Sequence, residues 1–233
     1  MTLNTHGRFL VATLSLSLLA AVPGCTLMRS ALPRAAGSAV ASPESPLRQT
    51  ALTSRDQAHV CLETALQLAA SEKDEHALAQ LKKARTLDPT LPGVAHPLAV
   101  LYDRLGQFGF AELEYERAME EGVTADLLND FGYFRFSQGN LMAARQLLTQ
   151  ARELAPQHPQ ATLNLAMVTA AEQDYESALA LFEDVVGLAA AHQNVGLLMI
   201  SHGQTRSARR HLSQAVRLDP SLETSAKVLA SLP

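Results

Sequence analysis

The chain has 233 residues, enough for one large domain or two small ones. Ala and Leu dominate, aromatic residues make up 5% and Trp is absent, which argues against a β-sandwich and for helices with small contact residues. A formal net charge of −4 offers no basic footprint to a nucleic acid, and two cysteines, Cys25 and Cys61, are too few for a disulfide scaffold.

The first 24 residues read as a targeting segment, not as part of a fold. Arg8 supplies a short positive start, and the apolar stretch from Phe9 to Val22 is too short to span a bilayer comfortably. It ends in Val22-Pro23-Gly24-Cys25. This stretch resembles a bacterial lipoprotein signal, in which the cysteine is lipidated and becomes the mature N-terminus. Val22 and Gly24 fit that pattern, and Pro23 departs from it. The resemblance implies a lipid anchor on Cys25. Thr26 follows where an Asp marks many inner-membrane lipoproteins, so the implied location is the outer membrane, facing the periplasm. The alternative is an ordinary secretory signal and a soluble periplasmic or secreted protein. With Cys25 acylated, Cys61 is left as a small buried apolar residue.

Residues 25–55 are rich in Ala, Ser and Pro and lack apolar periodicity. Such a composition does not bury enough surface to order itself, so it is read as a tether. Thirty residues of this kind reach roughly 30 Å root-mean-square.

From residue 56 to 220 the pattern is helix–turn–helix, five times over (about 58–91, 92–124, 125–158, 159–188 and 189–220). The second helix of each pair carries a small, a bulky and a small or branched residue: Ala77/Leu81/Ala84, Ala111/Tyr115/Ala118, Ala144/Leu148/Ala151, Ala178/Phe182/Val185 and Ala208/Leu212/Ala215. The first members are separated by 34, 33, 34 and 30 residues. The first helices keep the same steps through Ala65, Ala99, Gly132, Ala166 and Gly196. Small residues let two backbones approach, and bulky ones fill the gap. Gly106, Gly139 and Gly203 fall in the turns inside pairs, and Asp88-Pro89, Ala155-Pro156 and Asp219-Pro220 end second helices. The short last step places the end of the fourth second helix near Gly187 and rotates the next pair. Residues 221–233, apolar at Leu222, Ala226, Leu229 and Ala230, read as a helix that caps the open end.

Residues 58–220 resemble the tetratricopeptide repeat (TPR) family, whose unit is two antiparallel helices in 34 residues. The resemblance implies an all-α, right-handed α-solenoid of about five units plus the capping helix. Departures are plain. The Trp usual early in the first helix is missing, with Cys61, Ala95, Leu128, Thr162 and His192 in its place, and only Tyr102 matches the family tyrosine.

No enzyme signature is present: there is no H-E-x-x-H, no G-x-S-x-G and no P-loop. No cofactor is expected. His192, His202 and His211 straddle a turn and form the weak alternative of a metal site. Glu112, Glu114 and Glu116, Asp103-Arg104 and the arginines Arg206, Arg209 and Arg210 read as solvated helix faces.

What remains is binding. In the resembled family the first helices line a concave groove that contacts peptides. By register these positions are Asn129, Asp130, Tyr133 and Phe136 in the third pair, Leu163, Asn164 and Met167 in the fourth, and Gln193, Asn194, Leu197 and Ile200 in the fifth. Amides suit an extended peptide backbone, and Tyr133, Phe136, Met167 and Ile200 suit apolar pockets. Half of the apolar set is expected to pack against neighbouring helices instead. Leu62, Leu66 and Pro97 stand where a clamp for a terminal carboxylate needs basic or polar groups, so chaperone-tail recognition is not expected. The leading expectation is a non-catalytic, membrane-anchored adaptor that grips a segment of an envelope protein in pilus or secretion assembly. The alternatives are a scaffold for cell-wall hydrolases or proteases, and a module that regulates its own oligomer.

Overall fold

The computed structural model describes residues 52–232; the leader, Cys25 and nearly all of the tether lie outside them. The described residues form ten α-helices and no strand: α1 (Ser54–Ala70), α2 (Asp74–Leu87), α3 (Ala95–Arg104), α4 (Phe108–Glu121), α5 (Ala125–Ser137), α6 (Leu141–Leu154), α7 (Pro159–Ala171), α8 (Tyr175–Ser201), α9 (Thr205–Leu218) and α10 (Glu223–Ser231). No described helix is long and apolar enough to cross a membrane.

The chain starts its first helix earlier than its composition suggests. Thr53 and Asp56 form a capping box, Asp56 N–H donating to Thr53 Oγ1 at 3.1 Å and Thr53 N–H to Asp56 Oδ2 at 2.9 Å. Thus α1 begins at Ser54, within the last residues of the presumed tether. Side chains of Thr124, Asn140, His158 and Asp174 each accept one backbone N–H and cap α5, α6, α7 and α8 without the reciprocal bond of the box.

Turns inside the pairs share one geometry. Glu72, Gly106, Gly139, Gln173 and Gly203 all have positive φ, between 56° and 77°. The residue after each donates its N–H to the carbonyl five positions earlier, as in Lys73 to Leu68 and Gln107 to Tyr102. This is the left-handed helix ending usually given to glycine. Two pairs make it with Glu72 and Gln173, which is why these turns carry no glycine signal in the sequence.

The small-and-bulky register is the packing register. Ala65, Ala99, Gly132, Ala166 and Gly196 are buried, as is every member of the second-helix triplets except Val185, which is half-buried. The approach is closest where the small residue is glycine. A Cβ on Gly132 would lie 2.7 Å from Leu148 Cγ, and one on Gly196 would lie 2.8 Å from Leu212 Cγ. Cys61 is buried within the first pair, as its apolar character implies.

The helices pack along the chain: α1 with α2, α3 with α4, α5 with α6, α7 with α8 and α8 with α9, while the first helices α3, α5 and α7 also touch one another. The long α8 is two helices joined end to end. Gly187 has φ 78° and ψ 163°, so the stretch 175–186 serves the fourth pair and 188–201 the fifth. The break falls where the shortened step placed it. The final helix α10 covers α9. Its inward register differs from the one expected: Ser225 is buried and Leu222, Val228 and Leu229 half-buried, whereas Ala226 and Ala230 face solvent. The inward positions step by three and four from Leu222, which Ala226 and Ala230 do not share.

Candidate functional site

The face made by the first helices is organised by a polar ladder. Asn164 on α7 donates through Nδ2 to Asn129 Oδ1 on α5 at 2.8 Å. Both side chains are buried, at 4% and 5% exposure. Asn129 Nδ2 donates to Asp130 Oδ1 at 3.0 Å, and Gln160 Nε2 to Asn164 Oδ1 at 3.2 Å. Asp130 accepts from His96 Nε2 on α3 at 2.9 Å. One network therefore links three successive first helices. At the far end, Ser225 on α10 donates to Gln193 Oε1 on α8 at 2.8 Å.

Asn129 and Asn164, expected to offer their amides to a ligand, are thus turned toward each other. Asp130 is half-buried and held by His96. Asn194 is half-buried and makes no side-chain hydrogen bond among the described residues. The apolar members divide. Tyr133 is 39% exposed, with its ring 6.3 Å from Phe136. Phe136 is half-buried against Ala144, Leu148, Leu165 and Val168. Leu163, Met167 and Ile200 are half-buried against the cluster around Phe182 and Val195, and Leu197 is half-buried.

Two members of this face, His96 and Asp103, stand outside the groove positions read from the sequence, where Asp103 reads as part of a solvated helix face. His96 stands beside Pro97, the position inspected for a clamp. Asp103 on α3 is half-buried and makes no ion pair among the described residues. Burial, and then the charge of Asp130, push its carboxyl above the usual carboxylate range. Burial first, then Asp130 and Asp103, also raise the Tyr115 hydroxyl. The face between α3 and α5 is consequently acidic. The signal available was the spacing: His96 to Asp130 is 34 residues and Asn129 to Asn164 is 35, one repeat with a slip of about one position.

The charged runs read as solvated are partly structural. Glu114 is buried, held two-pronged by Arg85 and also by Arg117 at 3.2 Å. Glu112 pairs with Arg135 at 2.7 Å, and Arg104 with Asp74 at 2.8 Å. Apart from Arg117, three residues on from Glu114 in α4, the partners come from other helices, which no local pattern shows. The three histidines do not meet. His192 and His211 lie Nδ1 to Nδ1 at 3.0 Å, while His202 takes Tyr175 Oη at 2.6 Å. Among the described residues no group of three His, Cys, Asp or Glu is placed to hold a metal.

Solved structures share this architecture. YrrB, described as a TPR protein with an unusual peptide-binding site, superposes with a TM-score of 0.56 at 22% identity, over 72% of this chain and 89% of that one. The fold is the tetratricopeptide-repeat solenoid. PilF of Pseudomonas aeruginosa gives a TM-score of 0.56 at 23% identity, over 70% of this chain and 77% of its own. MamA gives 0.57 at 18% identity, over 74% and 95%. No family model matches the sequence, and no curated protein matches it. In this solenoid α1, α3, α5, α7 and residues 188–201 are the first helices, and the ladder joins the middle three, α3, α5 and α7.

Proposed function

We propose that the protein is a non-catalytic adaptor that takes a segment of a protein partner along the face of α3, α5, α7 and residues 188–201. The observation that carries this reading is Tyr133, an aromatic ring 39% exposed beside half-buried Phe136 on a face whose polar residues His96, Asn129, Asp130 and Asn164 are held to one another by hydrogen bonds. A rigid row of helices that leaves an aromatic ring part-exposed suits recognition of an apolar anchor, because little side-chain freedom is lost on binding. The peptide-binding site ascribed to YrrB supports the same use of the fold here. Asp103 and Asp130 favour a segment with a basic residue next to that anchor. The lipoprotein-like leader extends the proposal to location: the chain is tied through Cys25 to the outer membrane, facing the periplasm, and serves the assembly of a pilus or secretion complex.

The test is capture from an envelope extract with full-length protein, comparing the natural chain with Tyr133→Ala and with Asp103→Asn. A partner lost with Tyr133→Ala and weakened with Asp103→Asn supports the reading. A partner retained by both variants removes this face from the proposal. Mass spectrometry of the mature N-terminus tests the anchor: acyl mass on Cys25 supports it, and an unmodified N-terminus beginning near Cys25 makes the protein a soluble exported one.

A further inference from the structure

A second surface lies on α9, apart from the first-helix face. This helix carries Arg206, Arg209, Arg210 and Arg217 and no carboxylate. Every described arginine before it except Arg152 faces a carboxylate: Arg55 with Asp88, Arg85 and Arg117 with Glu114, Arg104 with Asp74, Arg135 with Glu112 and Arg145 with Glu172. On α9 the pattern changes. Arg210 is held only by the Ser207 hydroxyl at 3.1 Å, Arg217 only by the Gln214 amide, and Arg206 by no side chain among the described residues. All three are exposed.

Their spacing is that of one helix face. Arg206, Arg210, Ser213 and Arg217 follow at steps of four, three and four, opposite the buried Ala208, Leu212 and Ala215. Beside the stripe is an open cleft of about 740 Å³, lined by His192, Arg209, Arg210, His211, Gln214 and Arg217 among others. The His192–His211 pair forms part of this lining, and one ring must donate while the other accepts at 3.0 Å.

We propose that the arginine stripe of α9 and its cleft bind a carboxylate-rich segment of a protein partner. Guanidinium groups grip carboxylates in a planar, two-pronged manner, and Arg210 and Arg217 are held by neutral groups that a carboxylate displaces without breaking an ion pair. The linear arrangement fits an extended or helical segment. A flat anionic bilayer fits less well, because the lining groups His192, Arg209 and His211 are half-buried and sit back from a flat surface. A nucleic acid finds no Phe, Tyr or Trp to stack on in this lining, and its two rings, His192 and His211, are half-buried against each other.

The experiment is fluorescence anisotropy of a labelled oligoglutamate peptide with the full chain at low salt, where screening is weak. Oligoglutamine, inorganic phosphate and phosphatidylglycerol vesicles form the other arms. The expected result is binding of oligoglutamate but not oligoglutamine, weakened about tenfold by Arg210→Gln/Arg217→Gln and unchanged by Arg117→Gln. Circular dichroism checks that the exposed double variant stays folded, and Arg206→Gln provides a milder second variant. Absence of oligoglutamate binding overturns the proposal, as does binding indifferent to the arginines. Tighter, arginine-dependent binding of vesicles or phosphate also overturns it in favour of a phosphate-directed surface.

Discussion

Asn164 donates its amide N–H to Asn129 across 2.8 Å, in a site where both side chains are more than nine-tenths buried. The two residues belong to consecutive repeats and fix the register of α7 against α5. Removing one partner leaves the other buried with an unmet polar group. Asn164→Ala is therefore expected to lower the unfolding free energy by about 1–3 kcal/mol. Asn129→Leu/Asn164→Leu, which removes both, is expected to lose less than Asn164→Ala alone. Urea denaturation of the three proteins checks the order.

The Gly132–Leu148 contact predicts the opposite kind of damage. Gly132→Ala puts a Cβ 2.7 Å from Leu148 Cγ, and the strain is expected to cost about 1–3 kcal/mol. Leu148→Ala alone opens a cavity worth about 2–5 kcal/mol. The double variant should be more stable than the sum of the two losses implies, because each change relieves the other. A double-mutant cycle by chemical denaturation measures that coupling.

Turn geometry gives a stabilising change. Gln173 sits at φ 68°, a conformation that costs an ordinary residue about 1–2 kcal/mol relative to glycine. Part of that gain is returned because glycine gives the unfolded chain more freedom. Gln173→Gly is thus expected to raise stability by about 0.5–1 kcal/mol, and Gly106→Ala, at φ 71°, to lower it. Thermal melts of the two variants should move in opposite directions.

The histidine pair makes stability depend on pH. Burial holds His192 below its ordinary value of 6.5, against the opposing pull of Glu183. Burial, then His192 and Arg210, hold His211 below 6.5 as well. The unfolded chain therefore takes up protons near pH 6.5 that the folded pair does not. Stability from this pair is present above that pH and is lost as pH falls below it, down to where the folded pair itself titrates. The melting temperature should fall between pH 7.5 and pH 5.5, and fall less in His192→Asn/His211→Asn.

The backbone plan was legible because it repeats. Ala65, Ala99, Gly132, Ala166 and Gly196 keep the same steps as the second-helix triplets, and local spacing alone reveals both. The break at Gly187 was readable for the same reason: a missing turn of helix shortens the period. What stayed hidden depends on contacts between repeats. Glu114 looked like one of three surface glutamates until Arg85, on another helix, was seen to hold it. Asn129 and Asn164 looked like free amides because nothing in a single helix says that the next one is offset by about one residue. Glu72 and Gln173 were missed since only the backbone angle, not the residue type, marks their turn.

The neighbour-only packing of these helices has a mechanical consequence. No central mass holds both ends, so the stack opens like a zip. Near the middle lies the buried aromatic stack of Tyr115, Phe131 and Phe134, with centroids 4.9 and 5.3 Å from Tyr115, and its amides should exchange slowly. The other extreme is α10, which rests on α9 and is pinned to α8 by the Ser225 hydroxyl. Fraying begins there, and each turn it releases uncovers the flank of the arginine helix.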